Sequence, residues 1–235
     1  MQLSEVMQEL EGYANPNTKR IYTNHGAREP IFGVRVGDLK KIVKKVKADH
    51  ELSLRLFETG NVDAMYLAGL IAEPKRMTPD LLRTWARQAY WYMVSEYSVA
   101  GVAAEGSHGW ELGLEWIEAP EDHVSSCGWA TLGALLSLRR DEDLDLTAIS
   151  GLMRRVEETI AEAPNRTRYT MNNFVICVGC YVAPLLDEAR AVAARIGKVS
   201  VDMGGTACKV PFAPDYIEKV VSMGRVGKKR KKARC

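Results

Sequence analysis

The sequence predicts an all-α protein built as a HEAT- or armadillo-like helical-repeat solenoid. Three observations lead there. Apolar residues recur at helical spacing along nearly the whole chain. Strand-like alternation is confined to the short segment 198–202. Three nearly uncharged stretches rich in small residues, 62–72, 124–136 and 171–183, alternate with amphipathic ones, and 92–104 is a weaker fourth. A helix apolar nearly all round is a buried helix. Its return every roughly 30 to 50 residues is the spacing of stacked helix pairs. A compact helical bundle is the alternative architecture.

The elements follow in order. Leu39, Ile42, Val43 and Val46 fall at i, i+3, i+4 and i+7, with Lys40, Lys41, Lys44, Lys45 and Lys47 on the remaining positions and Asp38 as the expected N-cap. A second helix spans 62–73. Thr78-Pro79-Asp80 opens a third, with a capping residue followed by proline at the first helical position. Further helices are read at 91–104, 110–117, 123–138, 144–161, 169–182, 185–196 and 214–223. Gly204-Gly205 reads as a turn.

Composition narrows the class. The chain has 235 residues, 46% of them hydrophobic and 26% charged, and a net charge of +2. A chain of this length can bury a core without disulfides or metal. No apolar run is long enough to span a bilayer, and the N-terminal segment has neither the basic nor the apolar region of a secretory signal. The five cysteines are an odd number and read as reduced thiols. The expected location is cytoplasmic, beside the nucleoid if DNA is bound. No phosphate-binding loop, nucleophile elbow or zinc-protease motif occurs, and no cofactor or metal is expected. Cys177 and Cys180 have metal or redox spacing but sit inside an apolar stretch, without a second pair or a partner histidine.

Charge is unevenly placed. Residues 224–235 carry seven basic side chains and no acid, leaving 25 basic against 30 acidic in the rest of the chain. Such a block reads as a disordered basic arm beyond a domain spanning 1–223. Lys228, Lys229, Arg230, Lys231 and Lys232 are its candidate phosphate contacts, because lysine and arginine release counterions from a nucleic-acid backbone; a solubilising tail is the alternative. A second basic stretch runs from Lys19 to Lys47, with nine cations against Glu29 and Asp38. On the first helices of a solenoid, Arg35, Lys40, Lys41 and Lys44 would form one wall of a positive groove, or else a solvated helix face. The aromatic cluster Trp85, Tyr90, Trp91, Tyr92 and Tyr97 surrounds Glu96. Tyr92 and Glu96 stand at i, i+4 on one helix face. A ring beside a carboxylate can hold a cation, although aromatics at this spacing are more often core.

Residues 31–42, Ile-Phe-Gly-Val-Arg-Val-Gly-Asp-Leu-Lys-Lys-Ile, resemble a motif of the DNA alkylation repair family, the HEAT-like-repeat alkylpurine DNA glycosylases. The succession of uncharged helices, the length and the aromatic cluster near residue 90 are similar too. The resemblance implies an all-α solenoid gripping duplex DNA on a basic concave face. It also implies hydrolysis of the N-glycosidic bond of cationic alkylpurines such as 3-methyladenine and 7-methylguanine, with a carboxylate stabilising the developing oxocarbenium charge.

The family site uses a Trp with an Asp four residues later, then a further Trp and two Arg from later helices. Trp91 matches the first Trp, and the Asp position then falls on Ser95. A one-residue shift pairs Tyr92 with Glu96 instead. The later positions fall near Gly128 or Trp129 and near Ile176 and Gly179, with Arg166 and Arg168 as neighbouring candidates. Glu96, Trp91 and Tyr92 are thus the candidate catalytic residues. Two functions are carried forward: a glycosylase of cationic alkylpurines using them, and a non-catalytic scaffold binding nucleic acid or protein on its concave face.

Overall fold

A computed structural model describes residues 1–234 of the protein; Cys235, the last residue of the expected basic arm, lies outside the described residues. The described chain is helical and contains no strand. Its α-helices are α1 (Leu3–Gly12), α2 (Pro16–Asn24), α3 (Val36–Val46), α4 (His50–Glu58), α5 (Val62–Ile71), α6 (Pro79–Gln88), α7 (Ala100–Glu105), α8 (Gly109–Trp116), α9 (Asp122–Leu136), α10 (Leu146–Thr159), α11 (Asn165–Tyr181), α12 (Leu186–Ile196) and α13 (Ala213–Ser222). A π-helical turn, Met93–Val99, leads directly into α7.

Several boundaries have local causes. The Thr78 side chain accepts the Leu81 N–H, and Pro79 starts α6, as its sequence predicts. Asp145 caps α10 through the Ala148 N–H, and Asn61 caps α5 through the N–H groups of Asp63 and Ala64. Asp38 is not a cap. Helix α3 begins earlier, after Arg35, which leaves Asp38 in its first turn, where it accepts from Lys41. An anion is favoured there by the exposed N–H ends of the helix. Three short helices escape the sequence reading: α1, α2 and α4. Two of them are anchored by local caps, Asn15 to the Thr18 N–H and Asp49 to the Leu52 N–H.

The helices stack in two layers. Helices α5, the π turn with α7, α9, α11 and α13 contact one another in sequence and form the inner layer. Helices α4, α6, α8, α10 and α12 pack outside them. Apart from α13, the inner members contain the stretches whose composition marks them as buried, and α5 and α9 are buried on most positions. Small residues permit this closeness. A Cβ on Gly128 of α9 would lie 2.7 Å from the Ile117 nitrogen and 2.9 Å from the Gly113 oxygen, so α8 and α9 meet there backbone to backbone.

The Phe32-Gly33-Val34 motif caps the N-terminal end. The Asp63 carboxylate at the start of α5 accepts three consecutive N–H groups, from Phe32 (2.7 Å), Gly33 (3.0 Å) and Val34 (2.8 Å). Gly33 has φ +79°, and a Cβ there would lie 2.5 Å from the Lys19 nitrogen, so only glycine fits. The motif that carries the family resemblance is therefore a structural one, three backbone donors closed on a buried carboxylate.

The basic tail does not project as a free arm. Residues 225–234 run back across the inner layer, where the Gly227 N–H donates to the Cys180 carbonyl (2.9 Å) and the Arg230 N–H to the Ser137 carbonyl (2.7 Å), and two side chains fix them further. The Lys229 ammonium reaches the Leu136 carbonyl (2.9 Å), the Tyr181 carbonyl (2.6 Å) and Asp141 (2.8 Å). It thus meets the carbonyl ends of α9 and α11, where a cation is favoured. The Arg234 guanidinium pairs with Glu105 (2.7 and 3.1 Å) and donates to the Gly69 (2.6 Å) and Ala72 (3.0 Å) carbonyls at the end of α5. Glu105 also accepts the N–H groups of Ala233 and Arg234. The block's composition forbids packing against itself, but helix C-termini and two carboxylates supply the partners it needs.

Candidate nucleic-acid interface

The inner layer and the returning tail enclose a cavity of about 830 Å³. Its walls include Tyr97, Trp129, Tyr169 and Tyr216, and its rim carries Lys228, Arg230, Lys231 and Lys232 from the tail. Lys228, Lys231 and Lys232 are exposed. Glu96 is the one carboxylate among the described lining residues. The hollow is cationic because of the tail.

The expected wall of α3 is not part of it. Arg35, Lys40, Lys41 and Lys44 are exposed, but none lines the cavity. Helix α3 turns Leu39 and Ile42 inward against α1 and α5, at the N-terminal end of the stack, and its lysines face solvent. Lys41 pairs with Asp38 at 2.7 Å and lies over the Tyr13 ring at 5.3 Å, while Lys45 pairs with Glu9.

The candidate catalytic residues separate. Trp91 is 3% exposed, its indole N–H donates to the His25 carbonyl, and its ring packs on Tyr22 at 5.0 Å. It is a core residue, not a stacking platform for a ligand. Tyr92 and Glu96 do converge, on Arg166. The Arg166 guanidinium forks onto Glu96 at 2.8 and 2.6 Å, with the carboxylate side chain 3% and the arginine 18% exposed. The same guanidinium lies 4.5 Å from the Tyr92 ring centre and 4.4 Å from that of Tyr169. Burial pushes the Glu96 carboxyl above its ordinary range, and Arg166 offsets part of that push. Arg166 is held further into its charged form by the pair, against its own burial. The cage of rings and carboxylate that the sequence suggests exists, and this chain's own arginine fills it.

Trp91 and Ser95 keep the regular helical register, the Ser95 N–H bonding to the Trp91 carbonyl at 3.0 Å, and the helix widens after them. The Ala100 N–H bonds to the Ser95 carbonyl five residues back, so the turn holds an extra residue and rotates the following side chains. Ser95, which takes the family's Asp position, is fully buried, and its hydroxyl donates back to the Trp91 carbonyl. Of the two neighbouring arginines, Arg166 joins Glu96, while Arg168 donates to the carbonyls of Ala163 and Ser200. Trp129 packs against Phe174 at 5.3 Å and is 1% exposed. Cys177 and Cys180 stand on α11, where burial pushes their thiols up to about 12 and about 11, far from thiolate chemistry.

Comparison with known proteins agrees with this geometry. The model of the DNA alkylation repair enzyme family matches residues 6–189. The chain belongs to the DNA alkylation repair family. Uncharacterized proteins of Listeria monocytogenes and Listeria innocua are each 35% identical over 217 residues, which span 90% of this chain and 93% of each relative. A solved structure, described as a new family of proteins related to the HEAT-like repeat DNA glycosylases with affinity for branched DNA structures, is 39% identical. It superimposes with a TM-score of 0.92 over 100% of both chains. The fold of this family member is accordingly the HEAT-like solenoid expected from its helix pattern. No described helix is long and apolar enough to cross a membrane.

Proposed function

We propose that this protein binds branched DNA in its concave hollow without reading sequence and without excising bases. The observation that carries the reading is the occupied cage. A glycosylase of cationic bases needs its carboxylate open to the sugar, where charge develops in the transition state. Here Glu96 is sealed beneath Arg166, and Trp91 is locked in the core. A buried cation already neutralises the one carboxylate among the described residues that line the hollow. What remains is a cationic hollow suited to phosphate contacts, which position a nucleic acid without specifying its sequence. The affinity for branched DNA described for the solved neighbour supports the choice of ligand.

The test compares a four-way junction with linear duplex of equal length across a salt series, together with release of methylated base from methylated duplex. Tighter binding of the junction, steeply weakened by salt, with no base release, is expected. Release of 3-methyladenine or 7-methylguanine above the uncatalysed rate would restore the glycosylase reading.

A further inference from the structure

Five tyrosines and the tail's cations share the hollow, and all of them but the buried Tyr66 are half-buried or exposed. Tyr97 of the π turn is 47% exposed and Tyr216 of α13 is 48% exposed. Tyr169 and Tyr181 of α11 are half-buried in the same wall. Tyr169 is held on one face by the Arg166 guanidinium, and the ring centres of Tyr92 and Tyr97 lie 6.2 Å apart in an edge-to-face pair. These rings are therefore fixed by structure on one side while they border open space on the other. Tyrosine offers a ring to stack on and a hydroxyl to the wet side, which suits an occupant with a π face. Lys228, Lys231 and Lys232 lie along the rim, on a strip held from Gly227 to Arg234.

The size of the hollow selects among polyanions. A cavity of about 830 Å³ is in the range that holds a small ligand, roughly 300–1,000 Å³. The tail laid across it favours a single strand over a double helix at the tyrosines, because an unpaired strand is narrower and its bases are free to stack. A cationic track combined with aromatic platforms is what unpaired nucleic acid requires, every base having a face to stack.

We propose that the hollow is a single-strand site. It takes a short run of unpaired nucleotides, with bases stacked on Tyr97 and Tyr169 and phosphates on Lys228, Lys231 and Lys232. This rests on the DNA-binding reading and deepens it: the unpaired nucleotides are those exposed at a branch point.

The experiment measures fluorescence anisotropy of the full chain on a short labelled oligothymidine, on a blunt duplex of the same length and on a four-way junction. Wild type, Tyr97→Ala, Tyr169→Ala and Tyr97→Phe are compared, each first shown to melt as the wild type does. Tighter binding of the single strand than of the blunt duplex is expected. Each alanine variant is expected to lose about 5- to 150-fold on the single strand, with little change on the duplex, and Tyr97→Phe to keep the affinity because the ring is retained. Equal affinity of the alanine variants and the wild type for the single strand overturns the proposal, and so does a parallel loss on the blunt duplex. If those variants bind the junction as the wild type does, branched-DNA binding survives without the single-strand site. If the wild type binds none of the three DNAs, both readings fall.

Discussion

Replacing Arg166 with methionine tests whether the Glu96 cage is closed. The substitution keeps an apolar stem between Tyr92 and Tyr169 but leaves Glu96, 3% exposed, without its two guanidinium bonds of 2.6 and 2.8 Å. Removing one partner of a buried ion pair costs about 3–5 kcal/mol, because the survivor is a charge without compensation. At about 2–4 °C per kcal/mol for a chain of this size, the melting temperature should fall by about 6–20 °C. The loss depends on pH with a definite sign. Burial already pushes Glu96 above its ordinary 4.5, and loss of Arg166 removes the offset. A carboxyl whose folded pKa lies above its unfolded value stabilises the fold below the unfolded pKa and loses that contribution as pH rises. The deficit of Arg166→Met should therefore be smallest below pH 4.5. It should grow, by at most about 1.4 kcal/mol per pH unit, only between the folded pKa of Glu96 in the wild type and its higher value in the variant, because below that range both proteins lose stability alike. The double variant Glu96→Met/Arg166→Met should recover to within about 1 kcal/mol of wild type, since an apolar pair of similar volume often replaces a buried ion pair without loss. Urea unfolding between pH 4 and 8 measures all three. An Arg166→Met deficit below about 1 kcal/mol that does not vary with pH would show that Glu96 is open to water, and the argument against catalysis would fail.

Other outcomes follow from the same contacts. Glu105→Gln removes a negative charge, which simple electrostatics would score as a gain in DNA affinity, yet it weakens the Arg234 anchor. Faster tryptic cleavage after the tail lysines and a lower junction affinity than wild type are expected, and a higher affinity would refute the anchoring. The same anchor should loosen in acid. Burial would raise Glu105, but its bonds from the Arg234 side chain and backbone leave it net below 4.5, so the contribution is complete above pH 4.5 and fades as pH falls through the depressed value. Anisotropy of a dye on the tail reports this, and a transition at neutral pH would contradict it. Gly33→Ala forces a residue with a Cβ into φ +79° against Lys19 and should cost about 1–3 kcal/mol in urea unfolding. Asp63→Ala strands three N–H groups, with a loss of about 1–3 kcal/mol for each one left buried and unpaired.

The inner layer was legible in the sequence because a buried helix is short of charge on every face, as α5, most of α9 and α11 from Met171 onward are. Helices α1, α2 and α4 were not, being short and largely polar, with stability drawn from caps and from packing against distant elements. The site was legible in its residue types and in part of its register. Tyr92 and Glu96, read on one helical face, do converge on Arg166, whereas Trp91, matched with Ser95, packs into the core. The partner of Glu96 stands 70 residues away on α11, so Arg166 appeared only as a neighbour of a motif position. The tail was legible as a polyanion ligand by charge, but its docking depends on carbonyls at the ends of α5, α9 and α11, which composition does not register.

The claim that the hollow owes its DNA affinity to the tail is tested most directly by the salt dependence of junction binding. The full chain is compared with a chain ending at residue 223. The account predicts weaker binding by the shorter chain and a log–log slope shallower by about 3, since roughly one unit is lost for each phosphate no longer neutralised. Equal affinity and an equal slope for the two chains, both folded, would contradict it.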